Sequence, residues 1–72
     1  MIKEVDIDYL NKVIENMLGY YGEMVYAFNG DIWVACDNSS GDAWTEEFQT
    51  KEDAIQYLTA YYGDDELWKN MF

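Results

Sequence analysis

Carboxylates are the side chains of this sequence whose type and spacing come nearest to a catalytic pattern. Glu46 and Glu47 are adjacent, and Asp64, Asp65 and Glu66 follow one another later in the chain. Two carboxyl groups that share a site can act as a general acid and a general base. Adjacent residues of a strand point to opposite faces, however, so Glu46 and Glu47 are not expected to share a site. We therefore interpret these acids as solvated surface.

Other catalytic groups are missing or isolated. The sequence contains no histidine, so it lacks the commonest general base and any Ser–His or Cys–His pair. It has no glycine-rich phosphate-binding motif. Cys36 is the single cysteine, which excludes an intramolecular disulfide and a cysteine-based zinc site. Its place in a predicted strand favours a small buried side chain over a reactive thiol, and we expect no enzymatic activity and no cofactor.

The turn from Asp37 to Asp42 has the acidic composition of a calcium-binding loop. Aligning Gly41 with the invariant glycine of an EF-hand loop places Cys36 at the first ligand position, where an aspartate is needed. The flanking segments also have the pattern of strands rather than helices. We therefore expect no metal site in this turn.

The N-terminal part of the sequence has the pattern of an amphipathic helix. Apolar residues recur at three- and four-residue steps from Ile7 to Leu18. Asp6 or Asp8 can cap the start of this helix, and either charge suits the positive end of the helix dipole. Gly19 or Gly22 is the predicted stop.

The next part of the sequence predicts a β-hairpin. Met24–Phe28 and Ile32–Cys36 are rich in strand-forming residues, and an Asn-Gly pair (29–30) lies between them. A two-residue type I′ loop would place Phe28 opposite Asp31. Side-chain alternation then gives one aliphatic face: Val25, Ala27, Ile32, Val34 and Cys36. It gives the other face an aromatic character: Met24, Tyr26, Phe28, Trp33 and Ala35.

A third strand and a second helix complete the predicted fold. Ala43–Phe48 alternates as a strand, and 50–53 resembles a capping box at the start of a helix that ends at Gly63. Asp64 can cap a last short helix. The predicted order is an N-terminal helix, a three-stranded antiparallel meander, a C-terminal helix and a short terminal helix. This order indicates one α+β domain over residues 1–72, with the helices on one face of the sheet.

The charge balance is the strongest functional signal. Fifteen acidic residues against four lysines, the only basic residues, give a formal net charge of −11, although 18% of the residues are aromatic. A folded surface of this kind repels nucleic acid and anionic membranes and attracts basic protein surfaces. The sequence shows no signal-peptide pattern and no apolar stretch approaching the roughly 20 residues that span a membrane. We therefore expect a cytoplasmic protein that binds neither nucleic acid nor membrane directly.

In size, acidity and lack of catalytic residues, the chain resembles the small inhibitor proteins of phages and mobile elements, including the anti-CRISPR and anti-restriction proteins. The resemblance is one of composition and size and extends over the whole chain. It implies an inhibitor that acts as a DNA mimic and blocks a basic, nucleic-acid-binding protein. The charge is consistent with such a role, because duplex DNA carries about one negative charge per 1.7 Å of its axis.

These observations predict a non-catalytic protein-binding domain. Its carboxylates would steer a salt-sensitive association, and its tryptophans would supply the salt-resistant contacts. The predicted partner-binding residues are Asp37, Asp42, Glu46, Glu47, Trp33 and Trp44. The alternative is a small structural module that forms a homodimer through the aromatic sheet face, with the charge serving only solubility.

Overall fold

The computed structural model describes the backbone of residues 2–62 and the side chains of residues 2–59. In chain order, its elements are β1 (Ile2–Glu4), α1 (Ile7–Glu15), a 3₁₀ helix (Met17–Tyr20), β2 (Met24–Phe28), β3 (Trp33–Asp37), β4 (Trp44–Phe48) and α2 (Lys51–Tyr62). The four strands form one sheet in the order β1–β2–β3–β4. The protein therefore has the predicted α+β fold class.

The predicted three-stranded antiparallel meander is only part of the sheet. Strands β2, β3 and β4 form that meander, but β1 lies beside β2 and runs parallel to it, with Ile2 opposite Met24. Strand β1 has three residues, of which Lys3 and Glu4 are charged. Three residues are too few to show an alternating pattern. Pairing with β2, and not local sequence, makes this segment a strand.

Helix α1 begins where the sequence predicts and ends earlier. The Asp6 side chain accepts a hydrogen bond from the Tyr9 N–H at 2.8 Å, which confirms Asp6 as the N-cap. The α-helix ends at Glu15, and the chain continues through the short 3₁₀ helix. Leu18 lies in that 3₁₀ helix and is 82% exposed. The apolar pattern therefore extends beyond the segment that packs as an α-helix.

The β2–β3 hairpin has a longer loop than predicted. Phe28 pairs with Trp33, so four residues (29–32) form the loop instead of two. Asn29 Oδ1 accepts hydrogen bonds from two backbone N–H groups of this loop, at 2.9 and 3.2 Å, and Gly30 adopts a φ of +100°. Because the register differs from the predicted one by two residues, every strand side chain keeps its predicted face.

The two α-helices lie on opposite faces of the sheet, which corrects the prediction that both cover one face. Helix α1 packs on the aliphatic face, where the buried cluster consists of Leu10, Val13, Val25, Ala27, Val34 and Cys36. Helix α2 packs on the aromatic face, where the buried cluster consists of Met24, Tyr26, Ala35, Ala54 and Leu58. Both faces of β2 and β3 are apolar, so each face needs a helix to cover it.

Helix α2 begins at the predicted cap. Thr50 Oγ1 accepts a hydrogen bond from the Asp53 N–H at 3.1 Å. In the first turn, Lys51 Nζ lies 3.0 Å from Glu4 Oε1, which ties α2 to β1. The predicted stop at Gly63 and the short terminal helix lie outside the described residues. Neither α1 nor α2, as far as residues 2–62 define them, has the length and apolar character of a membrane-spanning helix.

Candidate partner-binding surface

In the part of the chain that the structure describes, strand β4 forms an open edge of the sheet. Among the described strands, it pairs only with β3. Four of its five residues are exposed, and Phe48 is partly buried. An edge strand has unpaired backbone N–H and C=O groups along one side, which makes it able to pair with a further strand. The opposite edge, β1, is only three residues long.

The hydrogen bonds between β2 and β3 determine which backbone groups of β4 face outward. Directly after β3, the Asn38 N–H donates to the Glu23 carbonyl oxygen at 2.8 Å, on the β2 side. In an antiparallel ladder, bonding to the two neighbours alternates along the strand, so the odd-numbered residues of β3 bond to β4. Their partners in the register are Trp44, Glu46 and Phe48. The N–H and C=O groups of Thr45 and Glu47 therefore point away from the sheet.

The chain segment that contains this open edge is rich in exposed acidic side chains. We call residues 42–53, which comprise β4 and its flanking residues up to the first turn of α2, the edge segment. Five of its residues are exposed acids: Asp42, Glu46, Glu47, Glu52 and Asp53. Its lysine, Lys51, forms an ion pair with Glu4. The hydrogen bond between these two side chains raises the pKa of the Lys51 ammonium group. Five carboxylates and one lysine give the edge segment a net charge of −4.

The two glutamates of β4 lie on opposite faces of the sheet. Glu46 pairs with Ala35, which belongs to the cluster under α2, whereas Glu47 pairs with Val34, which belongs to the cluster under α1. Both glutamates are exposed. The prediction that they do not share a site is confirmed. The edge consequently has a carboxylate on each face.

The structure separates the two tryptophans among the predicted contact residues. Trp33 is half-buried, with its ring centroid 6.1 Å from that of Tyr26 and 6.0 Å from Lys51 Nζ. Trp44, at the start of β4, is 55% exposed. Trp44 thus lies within the edge segment beside the acids, whereas Trp33 belongs mainly to the packing under α2.

Asp37 is fully buried, at 0% exposure. One of its carboxylate oxygens, Oδ1, accepts a hydrogen bond from the Ser39 N–H at 2.9 Å. The other, Oδ2, has no hydrogen-bond partner within the part of the chain that the structure describes. A carboxylate in this position presents no oxygen to the surface of a partner. The burial of Asp37 therefore does not support its predicted role in binding. Of the residues predicted to bind a partner, Asp42, Glu46, Glu47 and Trp44 are exposed.

Asn38 holds the loop before β4 in place through side-chain hydrogen bonds, a role that the sequence did not predict. This residue is fully buried. Its Nδ2 group donates hydrogen bonds to the carbonyl oxygens of Met17 and Tyr20, each at 2.8 Å, and its Oδ1 accepts one from the Ala43 N–H at 3.0 Å. These bonds attach the loop before β4 to the 3₁₀ helix. In the sequence, Asn38 is one of several turn-forming residues, and no local signal distinguishes it.

A groove of about 410 Å³ lies beside β4 and is lined by Phe48, Asp53, Gln56 and Tyr57. The Phe48 and Tyr57 ring centroids are 5.3 Å apart. This flank of α2 faces the open edge, because the opposite flank carries Lys51, which reaches Glu4 at the other edge of the sheet. The groove therefore combines aromatic walls with one carboxylate. From the sequence, Asp53 was predicted only as part of the helix cap.

A second polar cluster lies near β1. Glu23 Oε1 accepts a hydrogen bond from the Tyr9 hydroxyl at 2.8 Å and lies 3.1 Å from Lys3 Nζ. The hydrogen bond from Tyr9 lowers the pKa of Glu23 and raises the pKa of Tyr9. This arrangement favours an ionised Glu23 and a neutral Tyr9 phenol. A tyrosine that acts as a general base needs the reverse, a lowered pKa of its phenol. The cluster instead ties β1 and α1 to the start of β2.

The cysteine has the predicted structural role. Cys36 is fully buried in the aliphatic cluster under α1, and this burial raises the pKa of its thiol. A buried thiol with a raised pKa carries little thiolate, the reactive form. Within residues 2–62, the structure contains no group of three or more cysteine, aspartate or glutamate side chains arranged to hold a metal ion.

No protein-family model, curated protein or solved structure matches this chain.

Proposed function

We propose that this chain is a non-catalytic binding domain whose edge segment engages a basic surface on a nucleic-acid-binding protein and excludes the nucleic acid. The observation that carries the proposal is the group of five exposed carboxylates in the edge segment, two of which lie in β4 itself. The proposed class is an acidic, anti-CRISPR-like DNA mimic from a phage or mobile element. Its proposed place of action is the cytoplasm.

Electrostatics supports a protein partner over a nucleic acid. Of the three lysines in the described residues, Lys3 and Lys51 are already paired with glutamates. The surrounding acidic surface therefore has little compensating positive charge. Such a field repels phosphates and accelerates association with a basic protein. Carboxylates on both faces of one exposed strand can occupy positions where a cleft would otherwise hold phosphates.

The exposed tryptophan supports a contact that survives salt. Trp44 is 55% exposed and lies in the same strand as Glu46 and Glu47. Large aromatic side chains often supply a major share of the binding energy at interfaces, while charges at the rim mainly determine the association rate. We therefore expect binding to weaken with salt without being abolished by it.

The homodimer alternative receives less support. It requires an uncovered aromatic sheet face, but α2 packs on that face and leaves Tyr26 only 8% exposed. Within the same face, Phe28 and Trp44 remain about half exposed and lie at opposite ends of their strands. Two separated side chains are a small surface for a stable dimer.

The test of the proposal is capture of a partner from the lysate of the source cell, with matched charge variants. The edge variant carries Asp42→Asn, Glu46→Gln and Glu47→Gln. The control variant carries three exposed neutralisations elsewhere: Asp8→Asn, Glu15→Gln and Asp31→Asn. Both variants lose the same net charge. We expect the unmodified chain and the control to capture a nucleic-acid-binding protein at low salt, and the edge variant to lose it.

The captured protein then provides the decisive assay. Its affinity for fluorescent duplex DNA is measured with increasing concentrations of the chain. Competitive displacement of the DNA is expected, with a weaker effect for the edge variant. Simultaneous binding of DNA and chain, or equal activity of the two variants, would contradict the proposed function.

A further inference from the structure

We propose that the edge segment binds by strand addition: an extended segment of the partner, rich in lysine or arginine, pairs with β4 as a fifth strand of the sheet. This inference rests on the proposed function and specifies how the acidic edge engages its basic partner. It assigns the recognition to backbone groups of β4, to the two glutamates of that strand and to the groove beside it.

The backbone of β4 already has the geometry that strand addition requires. The outward N–H and C=O groups of Thr45 and Glu47 have no partner strand among the described elements. Both residues are exposed. An incoming strand can bond to these four groups without disturbing the ladder between β3 and β4, because that ladder uses the alternate residues. Peptides recognised in this way obtain affinity from main-chain hydrogen bonds.

The charges of Glu46 and Glu47 determine which kind of strand can pair with β4. Cross-strand neighbours of opposite charge stabilise a pair of strands, and like charges destabilise it. A second copy of this chain would bring another Glu46 and Glu47 against the first pair, one on each face. A basic segment would place cations beside both carboxylates. The edge is therefore suited to a lysine- or arginine-rich strand and protected against pairing with itself.

The groove provides a position for one long side chain of the added strand. Neighbouring strands lie about 4.8 Å apart, so a fifth strand would lie close to Phe48. Alternate side chains of that strand would point toward α2, where Phe48 and Tyr57 form aromatic walls and Asp53 supplies a carboxylate. The methylene groups of lysine or arginine can cover such rings while the charged end reaches the carboxylate.

The test uses the synthetic seven-residue peptide Val-Lys-Lys-Val-Lys-Lys-Val with both ends blocked, because in a strand its lysines occupy both faces. The control is the same sequence methylated at every backbone nitrogen, which keeps the charge and removes the donors. Amide hydrogen exchange is followed by NMR. In the free protein, the Glu46 amide should exchange slowly and the Thr45 and Glu47 amides quickly. Saturation with the peptide should slow exchange at Thr45 and Glu47 at least tenfold, and the methylated peptide should not.

A pair of variants isolates the contribution of the backbone. Glu47→Pro and Glu47→Gln both remove the charge, but only the proline also removes the outward N–H, and it leaves the bonds to β3 in place. We expect Glu47→Pro to bind the peptide about tenfold more weakly than Glu47→Gln, the effect of losing about one hydrogen bond. If Glu47→Pro does not fold, the comparison of the two peptides on the unmodified protein decides whether the peptide binds by strand addition.

The outcomes separate this inference from the proposed function. Equal binding of both peptides, or peptide binding that leaves Thr45 and Glu47 unprotected, would overturn strand addition and leave an acidic surface that binds through side chains alone. Absence of peptide binding would also overturn strand addition. The proposed function fails on a different result, namely equal capture of the partner by the edge and control charge variants.

Discussion

Trp33 and Phe48 are cross-strand partners on β3 and β4, on the face of the sheet that α2 covers. Phe48 also contacts Tyr57 of α2 through its ring. Trp44 points to the same face four residues before Phe48, yet it remains 55% exposed. Two tryptophans with the same predicted role therefore have different environments: one supports the core and the other lies at the surface of the edge segment.

We expect alanine substitution to distinguish these tryptophans. Trp33→Ala should lower the free energy of unfolding by about 2–3 kcal/mol, because it removes half-buried aromatic contacts. Trp44→Ala should lower it by less than about 0.5 kcal/mol and should weaken partner capture at high salt. Urea denaturation followed by circular dichroism measures both effects. Equal destabilisation by the two substitutions would contradict this assignment.

Asn38→Ala should be among the most destabilising substitutions of a polar residue in this chain. It removes three side-chain hydrogen bonds and leaves the Met17 and Tyr20 carbonyl groups and the Ala43 N–H without that partner. The expected loss is about 3 kcal/mol in urea denaturation. Asn29→Ala is the control, because Asn29 also accepts hydrogen bonds from its own loop but is exposed. A loss for Asn38→Ala no larger than that of the control would contradict the role given to Asn38.

Asp37→Asn should stabilise the fold at neutral pH. The carboxylate is buried, and its Oδ2 atom lacks a hydrogen-bond partner among the described residues. A buried carboxylate with a single hydrogen bond, here from the Ser39 N–H, costs more than a buried amide. Thermal unfolding should therefore show a gain of about 1 kcal/mol relative to Asp42→Asn, which makes the same change in net charge at an exposed position. Equal stability of the two variants, or a loss for Asp37→Asn, would show that the buried carboxylate is compensated.

The Glu23 cluster should make a pH-dependent contribution to stability. The hydrogen bond from Tyr9 lowers the pKa of Glu23 in the folded protein. The stabilisation from the Tyr9–Glu23 hydrogen bond is therefore fully present above the pKa of Glu23 in the unfolded chain, about 4.3. It is lost as the pH falls through the pKa of Glu23 in the folded protein. Glu23→Gln should cost about 1 kcal/mol at neutral pH and progressively less as the pH falls below 4.3. Urea denaturation across this range measures the difference.

The exposed Glu15→Gln variant is the control for that experiment. Protonation of the many acids also relieves repulsion within the chain, and this effect is nearly the same in both variants. A difference between Glu23→Gln and Glu15→Gln that stays constant from neutral to acidic pH would contradict the contribution of the Tyr9–Glu23 hydrogen bond.

The local features of the fold could be predicted from the sequence because they depend on residues close together in the chain. Asp6 and Thr50 cap helices through bonds that span three residues. The alternation in β2 and β3 assigned each side chain to its face, and this assignment was insensitive to the error of two residues in the hairpin register. The acidity of the edge segment was likewise visible, and so was the edge position of β4, because the last strand of a predicted meander has one neighbour.

The starts of α1 and α2, the antiparallel meander, the two apolar faces of the hairpin and the excess of negative charge could be predicted from the sequence. Contacts in the folded protein place β1 in the sheet, α1 and α2 on opposite faces and Asp37 in the interior. These features depend on contacts between residues distant in the chain, such as Lys51 with Glu4. The free energy of burying both apolar sheet faces selects that arrangement, and no local pattern of residues encodes it.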